Sequence, residues 1–326
     1  MNQRIVAGQQ PDSRRVPSKR ITMGDLAAMA TLLSLGMVSW LVPVKWLGPI
    51  SRAIGRGTAL WHGEGTSPTV KYVGGLRAAH DMPSAAPDIH KRYQDHRRET
   101  RLMVLALNRP WRNWRPIVRC NGLDHLQSSL ERGLGTILWV SGFAYTEIIT
   151  LMALQQVGIP VYQLVRPEHG FSASPFGIRW LNPIWTRIEQ RLNAEQVVIL
   201  NNDAGTALRL IRERLGTNGI VWISVGPEAK RMLHIPFIKG TISLPTAPLH
   251  LARTSHAALL PVFTIRANDG TYDVTIERPL DVDSDVTYEN AARSYAAMLE
   301  QYVTAHPAQW RAWESLIVAP ELADSD

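Results

Sequence analysis

The chain has a single cysteine, Cys120, among its 326 residues. One thiol excludes an internal disulfide, and it excludes a cysteine-rich metal cluster. Several histidines are scattered along the chain without the spacing of metal ligands: His125, His234, His250 and His256. The sequence therefore predicts no metal site.

Other familiar chemical motifs are missing as well. The sequence has no glycine-rich phosphate loop, no paired-carboxylate motif and no internal repeat. Ser141 lacks the Gly-x-Ser-x-Gly context in which a nucleophilic serine is presented by a sharp turn. These absences argue against phosphate binding by such a loop, against catalysis by paired carboxylates and against a serine nucleophile.

Acidic residues are fewer than basic ones, with 28 Asp and Glu against 35 Lys and Arg, and the formal net charge is +7. Such an excess favours an anionic partner, either nucleic acid or an anionic membrane. The basic residues lie beside apolar sequence, and no nucleic-acid-binding motif accompanies them. We therefore expect anionic membrane lipid as a partner and no nucleic acid.

The longest uncharged apolar run covers residues 26–44, just enough to span a bilayer, and basic residues precede it. No small-x-small cleavage pattern follows before Lys45, which argues against a cleaved signal peptide. The basic N-terminus predicts that the residues before 25 stay on the cytoplasmic side. Three arrangements remain open: an anchor that dips into or spans the membrane, an interfacial helix, and a buried core helix.

Composition divides the chain into three parts. Residues 1–20 form a basic tail that we expect to be disordered, residues 21–50 a membrane-associated helix, and residues 51–320 one α/β domain. A basic run at residues 90–101 predicts a helix. Its charged side chains are typical either of a solvated helix face or of a basic surface apposed to a membrane.

The domain alternates strand-like and helix-like segments. We predict strands at residues 136–140, 161–165, 197–200 and 220–225, and helices at residues 145–157, 174–192 and 204–215. This alternation indicates βαβ units. A hairpin at residues 259–277 and a helix at 288–306 follow. The predicted fold class is α/β, with a single mixed, mostly parallel sheet flanked by helices and an N-terminal apolar membrane-anchoring helix.

The most informative stretch is Gly135-Thr-Ile-Leu-Trp-Val-Ser-Gly-Phe-Ala-Tyr-Thr-Glu147. A short apolar strand leads into a tight turn and then into a helix. A side chain at position 142 would lie at the end of a strand, where α/β folds place reactive groups. Residues 142 and 147 can act together only if the first lies in the turn and the second in the first helical turn.

That stretch resembles the His-x-x-x-x-Glu region of the bacterial lipid A lauroyl/myristoyl acyltransferases, which are related to the phosphatidylinositol mannoside acyltransferases. Other stretches follow in the family's order: Val161-Tyr-Gln-Leu-Val-Arg-Pro167, Ile235-Pro-Phe-Ile-Lys-Gly240, Thr246-Ala-Pro-Leu-His-Leu-Ala-Arg253, Leu260-Pro-Val-Phe-Thr-Ile-Arg266, Asp269-Gly-Thr-Tyr272 and His306-Pro-Ala-Gln-Trp310. The resemblance covers about residues 25–315. It implies that residues 51–320 are an acyltransferase-like domain.

The chain also departs from the family pattern. Gly142 stands in place of the histidine that would take a proton from the acceptor hydroxyl, and glycine cannot act as a base. The Gly-Asn-Trp of the family reads Ala144-Tyr145-Thr146, and its Asp-Gln pair is not recognisable in residues 224–228. Fold transfers with such a resemblance more safely than activity does.

The resemblance implies a set of site residues. Glu147 is the predicted catalytic carboxylate, although a carboxylate at a helix N-terminus also has a purely structural explanation. His169 is a possible substitute base from a neighbouring loop. Candidate substrate-binding residues are Arg166, which could grip a phosphate or the pantetheine arm of the donor or form an internal salt bridge, and the turn residues Phe237, Lys239 and Gly240.

Three functions follow. The first is a membrane-associated acyltransferase on the cytoplasmic face of the bacterial inner membrane. It would use acyl-ACP or acyl-CoA as donor and a lipid or other amphiphile as acceptor, with no cofactor. The second is a catalytically silent relative that acts as a lipid-binding or scaffold protein. The third is a basic membrane-surface binding module whose fold says nothing about its ligand.

Overall fold

A computed structural model describes residues 5–7, 21–43, 46–59, 86–109, 116–165, 169–192, 194–199, 204–225 and 231–317. Within them lie the helices α1 Met23–Leu41, α2 Leu47–Ala59, α3 Ala86–Leu107, α4 Leu123–Glu131, α5 Thr146–Gln156, α6 Pro183–Arg191, α7 Ala204–Gly216, α8 Ala247–Ser255 and α9 Tyr288–Ala305. The strands are β1 Ile5–Ala7, β2 Val118–Asn121, β3 Thr136–Val140, β4 Val161–Val165, β5 Ala194–Ile199, β6 Ile220–Ser224, β7 Met232–Phe237, β8 Gly240–Pro245, β9 Ala258–Arg266 and β10 Tyr272–Ile276.

The main sheet has the strand order β1-β5-β4-β6-β3-β9-β10-β2 in the described part of the chain. Its neighbouring strands are parallel except for the antiparallel pair β9 and β10. The predicted α/β class with a mixed, mostly parallel sheet is confirmed. Strand β3 lies between β6 and β9 with every residue buried, because helices cover both faces of a largely parallel sheet.

The helix predicted at residues 174–192 is broken into two pieces. A π-helical turn covers Gly177–Leu181, and α6 begins at Pro183. The amide of Asn182 donates to the carbonyl of Gly177 at 2.8 Å, five residues earlier. Proline has no N–H to continue the helical ladder but fits the first position of a new helix, so the interruption falls at residue 182.

A second, two-stranded sheet pairs β7 with β8 and was not predicted from the sequence. Ile238 in its turn has φ +54°. The segment after α9 runs beside β8, where Ile317 forms an antiparallel bridge with Thr241. The last described residue, Ile317, is therefore held beside strand β8 of the hairpin.

The apolar N-terminal helix is present as α1. Thr22 and Asp25 form a capping box at its start. By length and composition it is the one helix in the described residues that could cross a membrane. Of the predicted disordered tail, only Ile5–Ala7 is described, and these residues form edge strand β1 instead. The division of the chain at residues 20 and 50 remains a prediction.

Candidate active site

The turn between β3 and α5 is closed by Thr146. Its hydroxyl accepts a hydrogen bond from the amide of Phe143 at 3.1 Å and donates to the carbonyl of Ser141 at 3.0 Å. Glu147 therefore lies in the first turn of α5 while Gly142 lies in the loop before it. This is the arrangement that the five-residue spacing requires.

The C-terminal segment lies against this turn. The amide of Arg311 donates to the carbonyl of Gly142 at 3.0 Å, and the amide of Ala144 donates to the carbonyl of Gln309 at 2.8 Å. Phe143 and Trp310 form an isolated antiparallel bridge. The His306 to Trp310 motif therefore packs directly against the turn between β3 and α5.

Arg311 pairs with Glu147 beside Gly142. Its guanidinium hydrogen-bonds the Glu147 carboxylate, and a Cβ at Gly142 would lie 3.6 Å from its Nε and Nη2 atoms. Burial lowers the pKa of Arg311, but the charge of Glu147 and the hydrogen bond outweigh burial and raise that pKa. The sequence analysis missed Arg311, although it directly follows Trp310.

His169 and Glu189 form a second pair. His169 Nε2 lies 2.8 Å from Glu189 Oε1, and the Glu189 side chain is fully buried. Two further side chains donate to this carboxylate, Trp185 Nε1 at 3.0 Å and Gln196 Nε2 at 2.6 Å. An ionised carboxylate only accepts, so Nε2 carries the proton and Nδ1 holds the free lone pair. Glu189 stands twenty residues after His169, and no sequence signal marked it.

The pKa of His169 reflects both ion pairs. Burial lowers it, but the hydrogen bond and charge of Glu189 and the charge of Glu147 raise it, while Arg311 lowers it. The balance raises the pKa of His169 above its ordinary value. The charges of Glu147 and Arg311 thus also act on the pKa of His169.

A buried polar chain supports the turn from α3. His96 Nδ1 lies 2.7 Å from the Tyr145 hydroxyl, which donates to Glu99 Oε2 at 2.8 Å. Arg266 lies 3.5 Å from Glu99. Burial, followed by the charges of nearby arginines, lowers the pKa of His96 to about 4. The basic run therefore presents a buried polar face as well as a solvated one, which the sequence analysis did not predict.

The predicted substrate-binding residues occupy varied positions. Phe237 is buried, with its ring centroid 5.4 Å from that of Trp310, and so lies near the turn. Lys239 lies in the hairpin turn. A Cβ at Gly240 would come within 2.6 Å of the Ile317 carbonyl oxygen, so close backbone approach explains this glycine. Arg166 lies outside the described residues. Their roles toward substrate remain predictions.

Comparison with known protein families finds one match. The model of the family described as "Bacterial lipid A biosynthesis acyltransferase" matches residues 89–313, more than half of the chain. The match begins in α3 and ends at Trp313, so it includes the turn, both ion pairs and the supporting chain from α3. A search of curated proteins finds no significant match.

Proposed function

The chain belongs to the bacterial lipid A biosynthesis acyltransferase family, and we propose that it transfers a fatty acyl group from acyl-ACP or acyl-CoA to a lipid or other amphiphile. The reaction replaces the thioester bond of the donor with an ester or amide bond to the acceptor and releases the carrier thiol. Its difficulty lies in deprotonating the acceptor, since a hydroxyl is a weak nucleophile at neutral pH.

The observation that carries the proposal is the His169–Glu189 pair, in which a fully buried carboxylate holds the histidine ring. A histidine oriented by a buried carboxylate is the arrangement used for general-base catalysis. In the proposed reaction, Nδ1 of His169 takes the acceptor proton as the acceptor oxygen or nitrogen attacks the thioester carbonyl. The departing thiolate then receives that proton, and Glu189 stabilises the imidazolium that exists between the two steps.

Arg311 would serve the carbonyl side of the reaction. Attack converts the thioester carbonyl oxygen into an oxyanion, which hydrogen-bond donors stabilise. Glu147 holds the guanidinium beside the glycine turn, and a guanidinium has further N–H groups beyond those that Glu147 occupies. In this role Glu147 positions Arg311 as a hydrogen-bond donor to the oxyanion, and it does not position a catalytic base. Arg166, Lys239 and Phe237 are proposed to contact the donor.

A membrane location suits these substrates. Acyl chains and amphiphilic acceptors partition into bilayers, and α1 provides an apolar helix at the N-terminus. We place the domain on the cytoplasmic face of the inner membrane, where acyl carrier protein and CoA are found. Anionic lipid is the expected membrane partner because the chain carries a net charge of +7.

A silent lipid-binding relative is the second candidate. Gly142 removes the family's base, and Arg311 neutralises the carboxylate that remains. If the loss of the base and the pairing of Glu147 with Arg311 ended catalysis, the protein would retain lipid binding alone. This candidate predicts lipid binding without turnover.

The two candidates separate in an acyl-transfer assay with labelled acyl-ACP and acyl-CoA donors and with lipid and amine acceptors. The proposed function expects product from the wild type and a loss of about a hundredfold or more in His169→Ala. His125→Ala is the matched control because this histidine is exposed and pairs with exposed Asp124. No product from the wild type with any donor, together with retained lipid binding, would favour the silent relative.

A further inference from the structure

Helix α1 packs against the α/β domain, which we call the body, along its whole length. Its buried residues recur every three to seven positions on one stripe: Asp25, Leu32, Leu35 and Ser39. Leu32 and Leu35 belong to an apolar cluster with Leu102 and Leu105 of α3 and with Leu181 of the π-helical turn. At 1.5 Å per residue, the helix is about 28 Å long.

Both ends of α1 are tied to the same body. At the start, Ser172 donates to Asp25 at 2.5 Å. At the end, Trp40 Nε1 donates to the Leu105 carbonyl at 3.3 Å, and Arg109 donates to the Val42 carbonyl at 3.0 Å. If α1 spanned a bilayer, the body would have to accompany it through the hydrocarbon.

Such a position would be unfavourable for the body. The helix that α1 packs against, α3, carries the Arg98–Asp95 ion pair and the exposed residues Lys91, Arg92 and Arg97. Charged side chains are strongly disfavoured at the centre of a bilayer. The packing of α1 therefore argues against a spanning helix.

The opposite face of α1 is apolar and exposed. We call it the apolar face, and it consists of Leu26, Leu33, Met37 and Leu41, which are between 44% and 77% exposed. The helix has no charged residue after Asp25. A continuous exposed apolar strip of this length is typical of a surface that binds another apolar phase.

Aromatic and basic side chains flank this strip. Trp46 is 53% exposed beyond the end of α1, and Trp180 is 61% exposed on the π-helical turn that packs near its start. The Arg179 guanidinium lies 5.6 Å from the Trp180 ring centroid. Tryptophan rings rest at headgroup level, and arginine meets lipid phosphate there. The positive charge of Arg179 suits contact with an anionic lipid surface.

We propose that α1 lies flat in one leaflet of an anionic bilayer, with the apolar face in the acyl-chain boundary and the body on the same side of the membrane. This inference rests on the membrane association in the proposed function and adds the orientation. Interfacial helices bury their apolar face about 5–10 Å deep.

Depth-dependent fluorescence quenching tests the orientation. In a Cys120→Ser background, single labelled cysteines replace Leu26, Leu33 and Leu41, and the full chain binds vesicles of zwitterionic and anionic phospholipid that carry quenchers at known depths. Leu134→Cys, an exposed apolar position remote in sequence from α1, is the control. We expect equal loss of fluorescence at all three α1 positions with a shallow quencher, a smaller loss with a quencher at the bilayer centre, and none at the control.

Two results would overturn the inference. A profile in which the label at position 33 is deepest and those at 26 and 41 are shallow would establish a spanning helix. Absence of quenching at all three positions would show that α1 does not dock on the membrane. The assay needs no catalysis, so equal depths in a protein without acyl transfer would leave the orientation standing while the proposed function fails.

Discussion

The guanidinium of Arg311 hydrogen-bonds the carboxylate of Glu147 beside the point where a side chain at residue 142 would begin. The resemblance implies a histidine at that point, whereas in this chain the guanidinium, a fixed cation, pairs with Glu147. The exchange explains how Glu147 stays satisfied without histidine. The proposed proton transfer therefore uses another residue, His169.

The Glu147–Arg311 pair predicts coupled stability. Removing either partner leaves a partly buried charge unpaired, so Arg311→Gln and Glu147→Gln should each lower the free energy of unfolding by about 1–2 kcal/mol. The double variant should lose no more than the worse single one. Urea denaturation of all four proteins measures this coupling, and strictly additive losses would contradict it.

Introducing at position 142 the histidine that the resemblance implies should require removal of Arg311. A Cβ fits at Gly142, but the guanidinium lies directly in front of it. We expect Gly142→His alone to leave acyl transfer unchanged or lower, and the double variant Gly142→His with Arg311→Ala to exceed Arg311→Ala by about tenfold or more. Initial rates with one donor and one acceptor decide, with Gly142→Ala as the size control. Equal rates in the double variant and Arg311→Ala would refute the prediction.

The proposed base predicts a pH profile. His169 must be neutral to accept a proton, so activity should fall as pH decreases through its raised pKa. Glu189→Gln removes the hydrogen-bonded charge that raises this pKa and leaves the lowering effect of burial, with Glu147 and Arg311 acting in opposite directions. The acidic limb of kcat/KM should move to lower pH while the maximal rate falls. An unmoved limb would exclude His169 as the titrating group.

His96 predicts the pH dependence of stability. Its pKa is about 4 in the folded protein and about 6.5 in an unfolded chain, so below pH 6.5 the unfolded state binds a proton that the folded state refuses. Its contribution to the free energy of unfolding should fall with decreasing pH, by up to about 3 kcal/mol when the pH reaches 4. His96→Gln should lose this slope. Denaturation at several pH values compares it with the wild type, and identical slopes would contradict the assignment.

Two glycines should respond differently to alanine. At Gly240 a Cβ would lie 2.6 Å from a backbone oxygen, whereas at Gly142 the nearest atoms are 3.6 Å away. Gly240→Ala should therefore lower the free energy of unfolding by about 1–3 kcal/mol, and Gly142→Ala should change it little. Thermal unfolding of both variants provides the comparison. Equal effects would mean that the backbone at Ile317 does not approach β8 so closely.

The sequence by itself determined the α/β class, the turn that places Gly142 before Glu147 and the apolar character of α1. These features depend on local periodicity and on residues near one another in the chain. It did not reveal the β7–β8 hairpin, because Ile235 to Gly240 was interpreted as a turn alone.

Tertiary structure alone decided the partners of the charged residues. Arg311 follows Glu147 by 164 residues, His96 precedes Tyr145 by 49, and Glu189 follows His169 by 20. Side chains pair by distance in space, and residue spacing carries no information about contacts made across separate elements. The same reason applies to α1: its hydropathy allows it to span a bilayer, but its contacts with α3 and Ser172 lay it along the body.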